Sequence, residues 1–149
     1  MRMKRQEKYP ETSTFHYYNA NPKNRITGDC WCRAICTALQ IPYNQVVMEM
    51  AELQCKTGYD ASELIARYLE SKGWIKHKQP RKADNTKFTG KEFCKEINKD
   101  IMMVGKTVVA NIGGHHIVCI KEDDLHGLYK VYDIWDSTDG CIGNYWTKA

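Results

Sequence analysis

The chain has 149 residues and a mass of 17.3 kDa, the length of one domain and enough to bury a core without a stapling metal or disulfide. With 42% hydrophobic and 27% charged residues, its composition is that of a globular protein and excludes collagen, coiled coil and bulk disorder. The 22 basic and 18 acidic side chains leave a net charge of +4, a mild surplus that does not by itself mark a nucleic-acid binder.

The first residues, Met1-Arg2-Met3-Lys4-Arg5, are basic, but no apolar signal-peptide core follows them. No apolar run approaches the roughly 20 residues that cross a bilayer. A soluble, cytoplasmic protein without a membrane partner is expected. Nine of the 22 bases fall in two stretches: Arg2, Lys4, Arg5 and Lys8, then Lys76, Lys78, Arg81, Lys82 and Lys87. Neither alternates with the aromatic rings on which single-stranded bases stack, so they read as a solvated tail and a solvated loop. Residues 1–22 form an N-terminal arm. Phe15, Tyr17 and Tyr18, with Tyr145 and Trp146, read as packing that closes a sheet and tethers that arm.

Helical signals fill the first half. Trp31, Ala34, Ile35, Ala38 and Leu39 recur at the spacing of one buried helical face, with Asp29 placed to cap the helix and Gly28 freeing the turn into it. A second helix carries Val46, Val47, Met50, Ala51 and Leu53. A third opens at Asp60 with Glu63 in capping-box spacing, buries Leu64, Ile65, Tyr68 and Leu69, and ends at Gly73. Thr89 and Glu92 repeat that spacing ahead of Phe93 and Ile97, predicting a short fourth helix.

Strand signals fill the rest. The stretch 107–112 is β-branched and apolar, and 116–120 matches it after Gly113-Gly114. Leu128 to Trp135 and Ile142 to Trp146 make two further strands, separated by turn formers such as Asp123, Asp124, Gly127, Ser137, Asp139 and Gly140. Helices followed by an antiparallel meander define an α+β fold, with residues 1–149 as a single domain. The seven cysteines are odd in number and lack the paired spacing of a disulfide scaffold, so reduced thiols are expected.

Three segments carry potential chemistry. Gly28-Asp29-Cys30-Trp31 sets a cysteine at a helix N-terminus, where the dipole and unpaired N–H groups favour a thiolate. A carboxylate at Asp29 opposes this if it lies close. Cys32 and Cys36 read as packing residues of the same helix. Gly113-Gly114-His115-His116-Ile117-Val118 starts a strand with two histidines on opposite faces, of which one can serve as the base for a thiol. Tyr132-Asp133-Ile134-Trp135-Asp136 supplies a carboxylate to orient that imidazole, beside a tryptophan that shields the bond from water. The residues alone leave open His115 or His116, and Asp133 or Asp136.

These segments resemble a known family. Gly28-Asp29-Cys30-Trp31 is similar to the Gly-x-Cys-Trp that opens the central helix of papain-like cysteine peptidases. His116-Ile117-Val118 resembles their histidine followed by small apolar strand residues, and Asp133-Ile134-Trp135 their Asn-Ser-Trp with aspartate in place of asparagine. His116 follows Cys30 by 86 residues and Asp133 follows His116 by 17. That compact layout looks like the small peptidase domains that process double-glycine leader peptides. Asp29-Cys30-Trp31-Cys32-Arg33-Ala34 fits the Asp-Cys-x-x-Arg-Ala core of short phage and bacterial proteins.

The resemblance implies a papain-like fold and a peptide or protein substrate. It makes Cys30 the nucleophile, His116 the general base and later acid, and Asp133 the residue that orients His116. Asn24 stands where these enzymes carry an oxyanion-binding glutamine six residues before the cysteine, and Asn21 is a substitute. The expected chemistry is hydrolysis of a peptide or isopeptide amide through a thioester. Two alternatives stand beside it: acyl transfer or deamidation by the same triad, and a catalytically silent binding or inhibitor protein on the same scaffold. A metal site from Cys30, Cys32, Cys36, His115 and His116 lacks zinc-type spacing, since Cys30-x-Cys32 is too tight and Cys32-x₃-Cys36 has no partner pair. No cofactor or metal is expected.

Overall fold

The computed structural model describes residues 3–99, 103 and 105–149; Arg2 of the basic tail lies outside them. A six-stranded mixed sheet runs through the molecule in the order β1-β5-β4-β3-β6-β2. The strands are β1 (Phe15–Tyr17), β2 (Trp74–His77), β3 (Val108–Ile112), β4 (His116–Glu122), β5 (Tyr129–Asp133) and β6 (Ile142–Lys148). The helices are α1 (Arg5–Lys8), α2 (Cys30–Leu39), α3 (Tyr43–Thr57), α4 (Ala61–Ser71) and α5 (Gly90–Ile97).

Strand alternation divides the core in two. Val109, Ile117, Cys119 and Trp146 face α2, α3 and α4, packing with Ile35, Val46, Leu64 and Leu69. Val108, Ala110, Ile112, Val118 and Ile120 form the opposite face and cover Phe93, Cys94 and Ile97 of α5. The expected α+β class stands, and the meander is corrected. β6 returns to the free edge of β3 instead of adding beyond β5, and β1 pairs with β5 in parallel. Two strands are additional to those read from the sequence. β1 draws the N-terminal arm into the sheet, with Phe15 fully buried. β2 takes Lys76 out of the expected loop and pairs it with Trp146 of β6. Its lysine-bearing segment is an edge strand, where charge is tolerated and even useful, so its sequence carries little strand signature.

The fourth expected helix has its full capping box, with Thr89 Oγ1 accepting from Glu92 N and Glu92 Oε1 from Thr89 N. At the third, Asp60 caps Glu63 N at 3.0 Å. In α3 only Val46 and Met50 are buried; Val47 and Ala51 instead line an open apolar groove with Trp31. A correction also falls on Asp29. It holds the N-cap position of α2, yet its side chain makes no capping bond. Among the described residues, no helix is long and apolar enough to cross a membrane, and all seven cysteines are free thiols.

Candidate active site

α2 lies against β4, so the helix start that carries Cys30 meets the strand start that carries His116. β4 and β5 are antiparallel, with Ile120 opposite Val131 and Cys119 opposite Tyr132. Continuing that register sets Asp133 beside Val118, one pleat from His116. The chemistry-bearing side chains therefore gather where the sheet ends and a helix N-terminus abuts it.

His116 Nε2 lies 2.5 Å from Asp133 Oδ2. A carboxylate paired with an arginine only accepts, so Nε2 is the donor and Nδ1 is left for the sulfur. Cys30 is half-buried, with the His116 ring and the Ile117 backbone close enough to act on its thiol. Burial pushes the Cys30 thiol up, but those two neighbours, with the charge of Arg33, outweigh it and hold the thiol below its ordinary value. Burial likewise pushes the His116 imidazole down, and its bonds to Asp133 and Cys30 override this and raise it to about 9. The two shifts run in the direction that favours a thiolate beside an imidazolium. Cys32, buried in the same helix, is pushed up to about 12 by desolvation, as expected for a packing thiol.

Asp133 is 1% exposed and is held on both oxygens. Oδ1 accepts from Arg33 Nη1 at 3.0 Å and from its neighbour Ile134 N at 2.8 Å. Oδ2 accepts from Ser137 Oγ at 3.2 Å besides His116. Asp136 is engaged elsewhere, accepting from Thr138 N at 3.0 Å and Thr138 Oγ1 at 2.5 Å. His115 is exposed in the turn between β3 and β4. The hydrogen bond to Asp133 thus belongs to His116, whose ring also acts on the Cys30 thiol, while Asp136 bonds to Thr138 and His115 lies in the turn. The ring of Trp135 lies against His116, with centroids 5.1 Å apart. A cleft of about 320 Å³ opens beside His116, lined also by His115, Trp135, Asp136 and Ser137 but not by Cys30.

Asn24 sits exposed on the loop before α2 with φ +54, and its Oδ1 accepts from Asn19 Nδ2 at 3.3 Å. Asn21 gives its amide to Asp29 Oδ2 at 3.0 Å. The first N–H groups of α2, the helix that carries the sulfur, have no side-chain cap and no intrahelical partner. Among the described residues, no three histidine, cysteine or acidic side chains are grouped to hold a metal ion.

Arg33 is a member of the cluster to which sequence reasoning gave no role. It is 6% exposed, and its Nε donates to Asp29 Oδ1 at 2.8 Å while Nη1 reaches Asp133. Asp29 also accepts from Tyr43 OH at 2.7 Å. Burial pushes the Asp29 carboxyl up, and its bonds from Tyr43, Arg33 and Asn21 overcome this and keep it below the usual range. The signal was present: a charged residue inside an apolar helical stripe, four residues after an acid, is a buried ion pair in waiting. Comparison with protein-family models, curated proteins and solved structures finds no match to this chain.

Proposed function

We propose that the protein is a papain-like thiol hydrolase that cleaves a peptide or isopeptide amide. One observation carries this reading: the His116 imidazole is hydrogen-bonded to the Asp133 carboxylate, acts on the Cys30 thiol, and that thiol stands at the uncapped N-terminus of α2. A structural cysteine needs no imidazole, whereas a nucleophile needs a base that is itself oriented.

In this reading the Cys30 thiolate attacks the amide carbonyl and forms the C–S bond. The carbonyl oxygen becomes an oxyanion, held by N–H groups of the first turn of α2. The proton on His116 Nδ1 passes to the amine as the C–N bond breaks, leaving a thioester on Cys30 and a neutral imidazole. His116 then takes a proton from water, the hydroxide attacks the thioester, and the acid and free thiol are released. Asp133 holds Nε2–H throughout and stabilises the imidazolium. Such a thiol has to stay reduced, which fits a reducing compartment such as the cytosol.

The test is incubation with a peptide pool, with and without an added amine, read by mass spectrometry. New termini that vanish in Cys30→Ser support hydrolysis. Incorporation of the amine in place of water means transfer by the same thioester. A Cys30 that neither cleaves nor labels faster than the exposed Cys55 overturns the reading in favour of a silent binding protein.

A further inference from the structure

Arg33 lies one helical turn after Cys30, buried against the two carboxylates Asp29 and Asp133. A helix that only had to pack on a sheet would be served as well by an apolar side chain, because taking a guanidinium out of water costs free energy that its partners must return. The geometry points to a use for that cost. We infer that Arg33 is the positioning residue of the Cys30–His116 pair: it clamps the helix of the sulfur to the strand end of Asp133 and cancels the charge of Asp29, the residue that precedes Cys30. This rests on the hydrolase reading above and extends it.

The clamp follows from the two sides of Asp133. Arg33 Nη1 and the Ile134 N–H hold Oδ1 at 3.0 and 2.8 Å, which orients the carboxylate plane and with it the line from Oδ2 to His116 Nε2. A planar guanidinium reaches two carboxylates with separate nitrogens; an ammonium offers a single point.

The charge role follows from what faces each group. Cys30 is faced by His116, Arg33 and the Ile117 backbone; His116 by Asp133, Cys30 and the Trp135 ring. Asp29 is faced by Arg33, Tyr43 from α3 and Asn21 from the preceding loop. Asp29 and Asp133 are balanced by Arg33 and protonated His116, so the cluster is neutral until the thiolate forms. Without Arg33, two carboxylates would face one imidazolium next to that thiolate.

The experiment is the pH profile of iodoacetamide labelling at Cys30, read by mass spectrometry on the folded fraction against Cys55. Arg33→Met is expected to raise the midpoint by about one pH unit, about a tenfold slower rate at pH 6. Adding Asp29→Asn to it should return most of that shift although the lost packing remains. Arg33→Lys, which restores charge but not the clamp, should fall between the two. Asp29→Asn alone should move the midpoint down, and it decides the matter if Arg33→Met does not fold. A midpoint that stays put in every folded variant, with the wild-type thiol activated, overturns the role of Arg33. A wild-type Cys30 that labels like Cys55 overturns the hydrolase reading itself.

Discussion

Replacing Asp133 by asparagine keeps the size of the side chain and removes its charge. Four donors converge on this carboxylate, from Arg33, Ile134, His116 and Ser137. An asparagine offers one oxygen, so its NH₂ group must face donors on one side, and a buried donor there goes unpaired. His116 loses the first of the two partners that raise it, and Cys30 remains. Its pKa should drop from about 9 toward the ordinary 6.5, because burial pushes it down and only Cys30 still opposes that. A fall all the way to 6.5 is about 3.4 kcal/mol of differential interaction and sets the upper limit, at which the imidazolium share at pH 7.5 goes from about 97% to about 10%. Alkylation of Cys30 at that pH should slow by up to about tenfold, and global stability should fall by about 3 kcal/mol, the lower end for a broken buried pair since Asp29 still holds Arg33. An NMR titration of the His116 ring, alkylation rates and urea unfolding read the three effects. A ring that still titrates near 9 in Asp133→Asn would refute the reasoning at its base.

Three further outcomes follow from the same structure. Asp136→Asn, which disturbs only the bonds to Thr138, should leave the His116 titration in place and cost under about 1 kcal/mol by urea unfolding; a shifted His116 would mean that Asp136 was the orienting acid. Gly90→Ala would set a Cβ 2.9 Å from Ile112 Cδ1 and 3.0 Å from the Thr138 backbone, and should lower stability by about 1–3 kcal/mol despite the better helix propensity of alanine; a Tm equal to or above wild type contradicts it. In a Cys30→Ser background, Asp133 remains to raise His116 above 6.5. The stability this contributes is complete below the unfolded value and lost as the pH rises through the folded one. The difference from Cys30→Ser/His116→Gln should therefore be larger at pH 6 than at pH 10, and an equal or reversed difference refutes it.

What could be read from the chain was whatever depends on near neighbours. The caps at Asp60 and Thr89, the buried stripe Leu64-Ile65-Tyr68-Leu69 and the break at Gly113-Gly114 are each settled within a few residues, because helix periodicity and turn chemistry act over that distance. The three segments around Cys30, His116 and Asp133 stood out for the same reason: each is a local oddity of residue type at the end of an element. Strand pairing is not local. That β6 returns to β3, and that Trp74–His77 and Phe15–Tyr17 join the sheet, depends on backbone groups far apart in sequence finding one another, and edge strands with charged faces leave little pattern to find.

The same division runs through the site. The order of cysteine, histidine and aspartate, and the helix end under the sulfur, belong to the sequence itself. Only the packing of α2 against β4 decided that Asp29 turns from the helix cap toward Arg33 and that Asp133 and not Asp136 meets His116. Burial is the physical reason: charged groups carried out of water must find partners there, and tertiary packing, not spacing along the chain, determines which partners lie within reach.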